Sequence, residues 1–236
     1  VIAFAVGPGV VLYDTGTTNN SIRGNSIFSN GALGINFSDD GVISNDVGDA
    51  DIGPNDLQNF PIITNAIVSG SSTIISGSLN STANGTFFID IYRNPSPDPS
   101  GYGEGQFYAG STSLTTDGTG NGTFTLTVSG NYVGQYFSAT ATSSGGDTSE
   151  FDADVQAVSA PASPQFIGPF SLTSTGFNAQ ISLTVSQNYS IQTTTNLANS
   201  NSWVDLTNFA AANTLFPFTD RTATNFRARF YRVVSP

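Results

Sequence analysis

Two kinds of hydrophobic pattern divide the chain. Up to about residue 60 the apolar residues come in short clusters among Asn, Gly and Ser, and the clusters repeat. Displacing the chain on itself by 25 residues superposes Ile2 on Ile27, Gly9 on Gly34, Val10 on Ile35 and Leu12 on Phe37. A repeat of that length fits one coil of a parallel β-helix. Asn20, Asn25 and Asn30 recur at five-residue steps, as do Ile22 and Ile27. Asparagine tolerates the left-handed backbone of a coil corner, and the isoleucines would stack inward.

From about Ala66 strict alternation takes over. Phe87, Ile89 and Ile91 alternate with Phe88, Asp90 and Tyr92, while Phe124, Leu126 and Val128 alternate with threonines and Ser129. Phe137, Ala139 and Ala141 repeat the pattern. Period two with one apolar face predicts antiparallel strands, and the Gly-rich stretches 117–122 and 144–147 predict turns between them. This spacing predicts an immunoglobulin-like sandwich over 66–159. Residues 160–165 read as a stiff Pro/Ala linker. A second alternating set follows in 166–236, through Ile181, Leu183, Val185, Tyr189 and Ile191, and predicts a small C-terminal sandwich. The expected fold class is therefore all-β: terminal coils of a parallel β-helix over 1–65, then two β-sandwich domains. Phe87, Ile89, Phe124, Leu126 and Phe137 are the expected core of the first sandwich, and Ile181, Leu183, Ile191 and Trp203 that of the second.

Between the two patterns lies an acidic corner, 45–61, with four aspartates, two prolines and two glycines in seventeen residues. Such a composition excludes a regular helix or a central strand. Asp46, Asp49, Asp51 and Asp56, with Asn55, offer hard oxygen ligands at short loop spacing, and calcium is the cation that chemistry suits. The stretch lacks the alternation and terminal Glu of an EF-hand loop, and solvated turn acids are the other reading.

These segments also carry a resemblance. Asn25-Ser26-Ile27-Phe28-Ser29-Asn30-Gly31-Ala32-Leu33-Gly34-Ile35-Asn36-Phe37, followed by the corner, resembles the end of a right-handed parallel β-helix in large secreted bacterial surface proteins. Gly103-Glu104-Gly105-Gln106-Phe107-Tyr108 and Thr148-Ser149-Glu150-Phe151 are similar to strands of the sandwich that follows in those proteins. Tyr189-Ser190-Ile191-Gln192, Trp203-Val204-Asp205-Leu206 and Phe230-Tyr231-Arg232-Val233 resemble small C-terminal modules of secreted proteins from verrucomicrobia-like bacteria. The resemblance implies an extracellular, structural or adhesive role and brings no catalytic site.

Composition narrows the chemistry. Charged residues make up 10% of the chain, and Lys, Cys, His and Met are absent; about 25% charged is usual. Without His or Cys there is no Ser-His-Asp or Cys-His pair, no His-based metal site and no thiolate nucleophile. Carboxylate pairs remain, but the adjacent Asp39 and Asp40 would face opposite sides of a strand. The expectation is a non-enzyme. Residues 1–160 hold fifteen acids against two arginines, giving −13, and residues 161–236 hold two acids against four arginines, giving +2. An acidic body repels nucleic acid. No apolar run approaches the roughly 18 residues of a membrane-spanning helix. The first six residues lack the basic flank of a signal peptide, so the chain reads as a processed or truncated product.

The functional expectation is a non-catalytic extracellular structural or adhesive protein. Val1, Ile2 and Phe4 would form an open coil edge, and Arg227, Arg229 and Arg232 a basic end, so that copies assemble head to tail into a surface fibre. The alternative is a carbohydrate-binding accessory region of a larger secreted β-helix protein or polysaccharide-active enzyme. In that reading Tyr102, Tyr108, Tyr132 and Tyr136 would form a platform for cell-surface glycans.

Overall fold

A computed structural model describes residues 1–38 and 40–235. All its regular elements are strands or short 3-10-type turns, as period-two alternation of aromatic and β-branched residues dictates. The chain forms two compact units, Val1–Ala160 and Pro161–Pro236.

The first unit begins with β1 (Ile2–Ala3), β2 (Val10–Leu12), β3 (Ile27–Phe28) and β4 (Ile35–Phe37). β1 pairs with β3 and β2 with β4, both parallel, placing Ile2 beside Ile27, Val10 beside Ile35 and Leu12 beside Phe37. The internal repeat thus sets the register. The ladders are two and three residues long, and no extended solenoid forms among the described residues.

The sandwich follows: β5 (Ile62–Ser69), β6 (Ser72–Asn80), β7 (Thr86–Asn94), β8 (Phe107–Thr115), β9 (Asn121–Ser129), β10 (Tyr136–Ser143), β11 (Val155–Gln156) and β12 (Val158–Ser159). One sheet has the order β11-β10-β7-β8 and the other β12-β5-β6-β9. Pairing is antiparallel except between β12 and β5. The first sandwich strand starts at Ile62, four residues before Ala66, where alternation becomes visible. Phe87, Ile89, Phe124 and Phe137 are buried between the sheets with Ile75, Leu79 and Ile91, whereas Leu126 is half-buried at the margin. Gly77 is required where β6 crosses Phe124, because a Cβ there would lie 2.4 Å from the Ile62 carbonyl oxygen.

A further apolar cluster joins the two patterns. Ile22, with Ile27, Ile35 and Phe37 of the parallel ladders, packs with Tyr92 of β7 and with Phe151. The parallel ladders therefore share one compact unit with the two sheets.

In the second unit, β13 (Gln165–Thr173), β14 (Gly176–Ser182), β15 (Asn188–Thr194), β16 (Val204–Ala210), β17 (Leu215–Asp220) and β18 (Phe230–Val234) form sheets ordered β13-β14-β17 and β16-β15-β18. Ile181, Leu183, Tyr189, Ile191 and Phe218 are its core. Phe177 stacks on Tyr231 at 4.8 Å and Phe209 on Phe216 at 4.2 Å. Trp203 departs from expectation. It precedes β16 rather than lying on an inward strand position, and it sits half-buried with the Arg232 guanidinium 4.3 Å above its ring.

Candidate functional site: a carboxylate clasp and an acidic corner

After β10 the chain turns at 143–146 and runs back along that strand, with Ser149 N–H donating to the Ala141 carbonyl and Asp152 N–H to that of Ala139. The returning strip, 147–152, carries Asp-Thr-Ser-Glu-Phe-Asp; Asp147, Thr148 and Glu150 hydrogen-bond the N-terminal region, while Asp152 ties β5 to β10. Asp147 accepts from Asn19 N–H at 2.6 Å, and Thr148 Oγ1 accepts from Ile22 N–H at 2.9 Å. The two oxygens of Glu150 accept from Phe37 and Ile43 N–H, both at 2.8 Å. Asp152 accepts from Ile63 N–H at 2.9 Å and from Ala139 N–H at 2.6 Å. Between them Phe151 enters the cluster that holds Ile27, Ile35 and Phe37.

A second jaw comes from the segment before β8. Glu104 accepts from Asn30 Nδ2 at 2.5 Å and from Asn30 N–H at 3.1 Å, and Gly105 exchanges backbone hydrogen bonds with Ile27 at 2.9 and 2.7 Å. Gly103 and Gly105 permit this close approach: a Cβ on Gly103 would stand 2.6 Å from Phe151, and one on Gly105 2.8 Å from Tyr92. Arg23 adds a two-pronged pair with buried Asp90 at 3.0 and 2.7 Å.

Glu150, Asp152 and Glu104 are buried with no cation paired to them among the described residues. Burial outweighs the amide hydrogen bonds and pushes Glu150 up to about 7 and Asp152 well above the carboxylate range. Glu104 is raised by the same cause, and burial carries Asp154 to about 7.

The acidic corner lies next to this clasp. Asn55, Asp56 and Leu57 adopt left-handed backbone, with φ of 48°, 49° and 50°, a conformation that Asn and Asp tolerate best. Asn55 is fully buried; its Oδ1 accepts from Asn20 N–H, and its Nδ2 donates to the carbonyls of Asn20 and Thr148, both at 2.9 Å. Its amide is thus committed to the clasp rather than to a ligand. Asp46, Asp49 and Asp51 do converge, with carboxylate oxygens within 4.8 Å of one another. Asp49 accepts from Asn59 N–H and Gln58 Nε2, each at 2.8 Å, and from Ser81 Oγ. Burial, with the charges of Asp46 and Asp51 adding to it, pushes Asp49 up to about 6. One oxygen of Asp51 is buried with no hydrogen-bond partner. Asp56 lines a cavity of about 480 Å³ together with Asp49, Asp51 and Asp147. Three close carboxylates and an orphaned buried oxygen fit a hard divalent cation.

Other expected residues are placed differently. Tyr102 packs edge-on against Phe60, Tyr108 against Tyr92 and Tyr132 against Phe137, so the tyrosines serve separate packing contacts. Val1 and Phe4 are 90% and 76% exposed, whereas Ile2 packs against the ladder cluster. Arg229 is paired with Asp220 at 2.9 Å, and Arg232 is engaged by Trp203 and Gln192, so of that trio only Arg227 has no ion pair, hydrogen bond or ring contact among the described residues. Asp39 lies outside the described residues, so the Asp39–Asp40 pair has no geometry here. Comparison with protein-family models and with curated proteins returns no match.

Proposed function

We propose that this chain is a non-catalytic extracellular structural module, which anchors parallel β-coils to a sandwich and offers an open coil edge to a further coil. One observation carries the reading: Asp147, Glu150 and Glu104 are spent on N–H groups of residues 19–43. Acids so committed hold backbone in place and are poorly disposed to bind a substrate. A surface poor in charge and a chain without Lys or Cys suit exposure outside a cell.

The open edge supports assembly. Val10 N–H donates to the Gly34 carbonyl and the Leu12 carbonyl accepts from Ser38 N–H, so both residues face β4. In a parallel ladder alternate residues address opposite neighbours, and the backbone of Val11 faces away, toward a coil that would stack on β2. Head-to-tail association of copies is the form of stacking this chain can undergo by itself. The committed arginines contribute little to it; the aromatic groove of the second unit, lined by Phe170, Leu172, Phe226 and Phe230, is the better counterpart for exposed Phe4 and Val6. Light scattering across a concentration series tests the reading. Concentration-dependent association is expected, and Val11→Pro, which removes an outward N–H and leaves the β2–β4 bonds intact, is expected to abolish it. A monomer at all concentrations, or association indifferent to Val11→Pro, contradicts it.

We also infer that Asp46, Asp49 and Asp51 hold a calcium ion, which would supply charge neutralisation to the corner that precedes β5. A ligand at about 100 times its Kd stabilises by about 2.7 kcal/mol. Calcium is therefore expected to raise the melting temperature of the first unit by several degrees, chelator to reverse the gain, and Asp51→Ala to remove it. An unchanged melting curve with calcium and chelator, and no metal by elemental analysis, would end the idea.

A further inference from the structure

The outward face of the β16-β15-β18 sheet carries an ordered row of planar polar groups. Asp205 sits at its centre: one oxygen accepts from Ser190 Oγ at 2.8 Å and Gln192 Nε2 at 2.7 Å, and the other from Asn208 Nδ2 at 3.4 Å. The Gln192 carbonyl oxygen in turn accepts from Arg232 Nε at 2.7 Å, and the Arg232 guanidinium lies over the Trp203 ring, 4.3 Å from its centroid. The row spans all three strands.

Strand geometry alone does not produce this row. In a regular strand residues three apart, such as Asp205 and Asn208, face opposite sides. Here the pairing is Ser190 with Asn208, Ile191 with Thr207 and Gln192 with Asp205, so that β16 carries one extra residue, a bulge at Leu206. Bulges bend a strand and re-aim side chains, and they recur beside functional sites. This one turns Asp205 onto the face that Asn208 occupies. The hydrogen bonds of Ser190 and Gln192 hold the Asp205 carboxyl below its usual range.

The row borders a concavity of about 640 Å³ whose remaining lining includes Tyr189, Phe209, Ala210 and Val234. We propose that this face of the second unit is a binding site for a neutral saccharide of two or three sugar rings. Sugar rings pair apolar C–H patches with hydroxyls that donate and accept at once. Phe209 and Val234 match the former, and Asp205, Asn208 and Gln192 match the latter, with Arg232 standing behind Gln192. Prior fixing of these side chains removes much of the ordering cost of binding. Asp205 and Arg232 offset one another in charge, so a strongly anionic ligand gains nothing from Arg232 that it does not lose at Asp205. The site is independent of the coil-anchoring reading, because every residue in it belongs to the second unit.

Trp203 is the only tryptophan in the chain, and its contact with Arg232 makes its emission a reporter of the row. The test titrates the full chain with cellobiose, maltose, lactose, xylobiose and chitobiose, following Trp203 fluorescence with calorimetry alongside. At least one sugar is expected to give a saturable response with a Kd of about 1 mM or tighter. Asp205→Ala and Asn208→Ala should each weaken it at least tenfold, with melting of the second unit unchanged in at least one of them. No saturable response from any of the sugars by either method overturns the proposal, as does undiminished binding in a folded variant. Tighter binding of a uronate-containing disaccharide overturns the neutral class.

Discussion

Replacing Glu150 by Ala is expected to destabilise the first unit by about 2–6 kcal/mol at pH 5, an amount that follows from orphaning the buried N–H of Phe37 and the half-buried N–H of Ile43 at about 1–3 kcal/mol each. Denaturant unfolding followed by circular dichroism measures the loss, while Trp203 emission reports the second unit separately. The hydrogen-bond partners of Glu150 belong to the first unit, so the transition of the second should not move. At pH 8 the difference between variant and wild type should shrink, because there the wild-type carboxylate is itself held ionised in a buried site. Equal stability of variant and wild type at pH 5 would mean that the Glu150 bonds hold nothing.

Acidification is expected to stabilise the first unit. Glu150 moves from 4.5 to about 7 on folding, Asp154 from 3.8 to about 7 and Asp49 from 3.8 to about 6, each chiefly by burial, and Asp152 is raised further. A carboxyl raised on folding binds its proton more tightly in the native state. Its contribution is complete below the unfolded pKa near 4 and is lost as pH rises through the folded value. For Glu150 alone the change across that window is about 3 kcal/mol. Unfolding free energy should therefore fall by several kcal/mol between pH 4.5 and about 7.5, and Glu150→Gln should flatten part of that slope. The second unit behaves oppositely. Burial tends to raise Asp220, but hydrogen bonds from Thr222 and Tyr231 and the charge of Arg229 outweigh it and leave it lowered. Its contribution is present above the unfolded value and lost as pH falls below it. A first-unit stability that rises steadily from pH 5 to pH 8 would contradict these shifts.

Much of the backbone arrangement was legible in the chain. The 25-residue displacement that superposes Ile2 on Ile27 and Val10 on Ile35 is the register of the two parallel ladders. Period two located β7, β9 and β10, because side chains on a half-buried strand must alternate. Trp203 misled: size and hydrophobicity argued for the core, whereas its position before β16 and a stacked guanidinium keep it at the surface. The clasp was hidden for a different reason. Residues 144–147 read as a turn and Thr148-Ser149-Glu150-Phe151 as strand, and side-chain pattern does not reveal which remote N–H groups need acceptors. The available signal was charge balance: fifteen acids beside two arginines in residues 1–160 leave many acids that can be satisfied only by N–H and O–H donors. Asn55 was misread in the same way, its burial against Asn20 and Thr148 being a tertiary fact. Convergence of Asp46, Asp49 and Asp51, by contrast, followed from their crowding in a turn-rich corner.

The central claim is that residues 147–152, with Glu104, hold the coil region onto the sandwich. Native-state hydrogen exchange on wild type and Glu150→Ala at pH 5 tests it most directly. The account predicts that the amides of Asn30, Phe37 and Ile43 lose protection together in the variant, while those of Ile89, Ile91 and Ala141 in the sandwich core keep theirs. Loss of protection spread evenly over coil and sandwich, or none at Phe37 and Ile43, would contradict it.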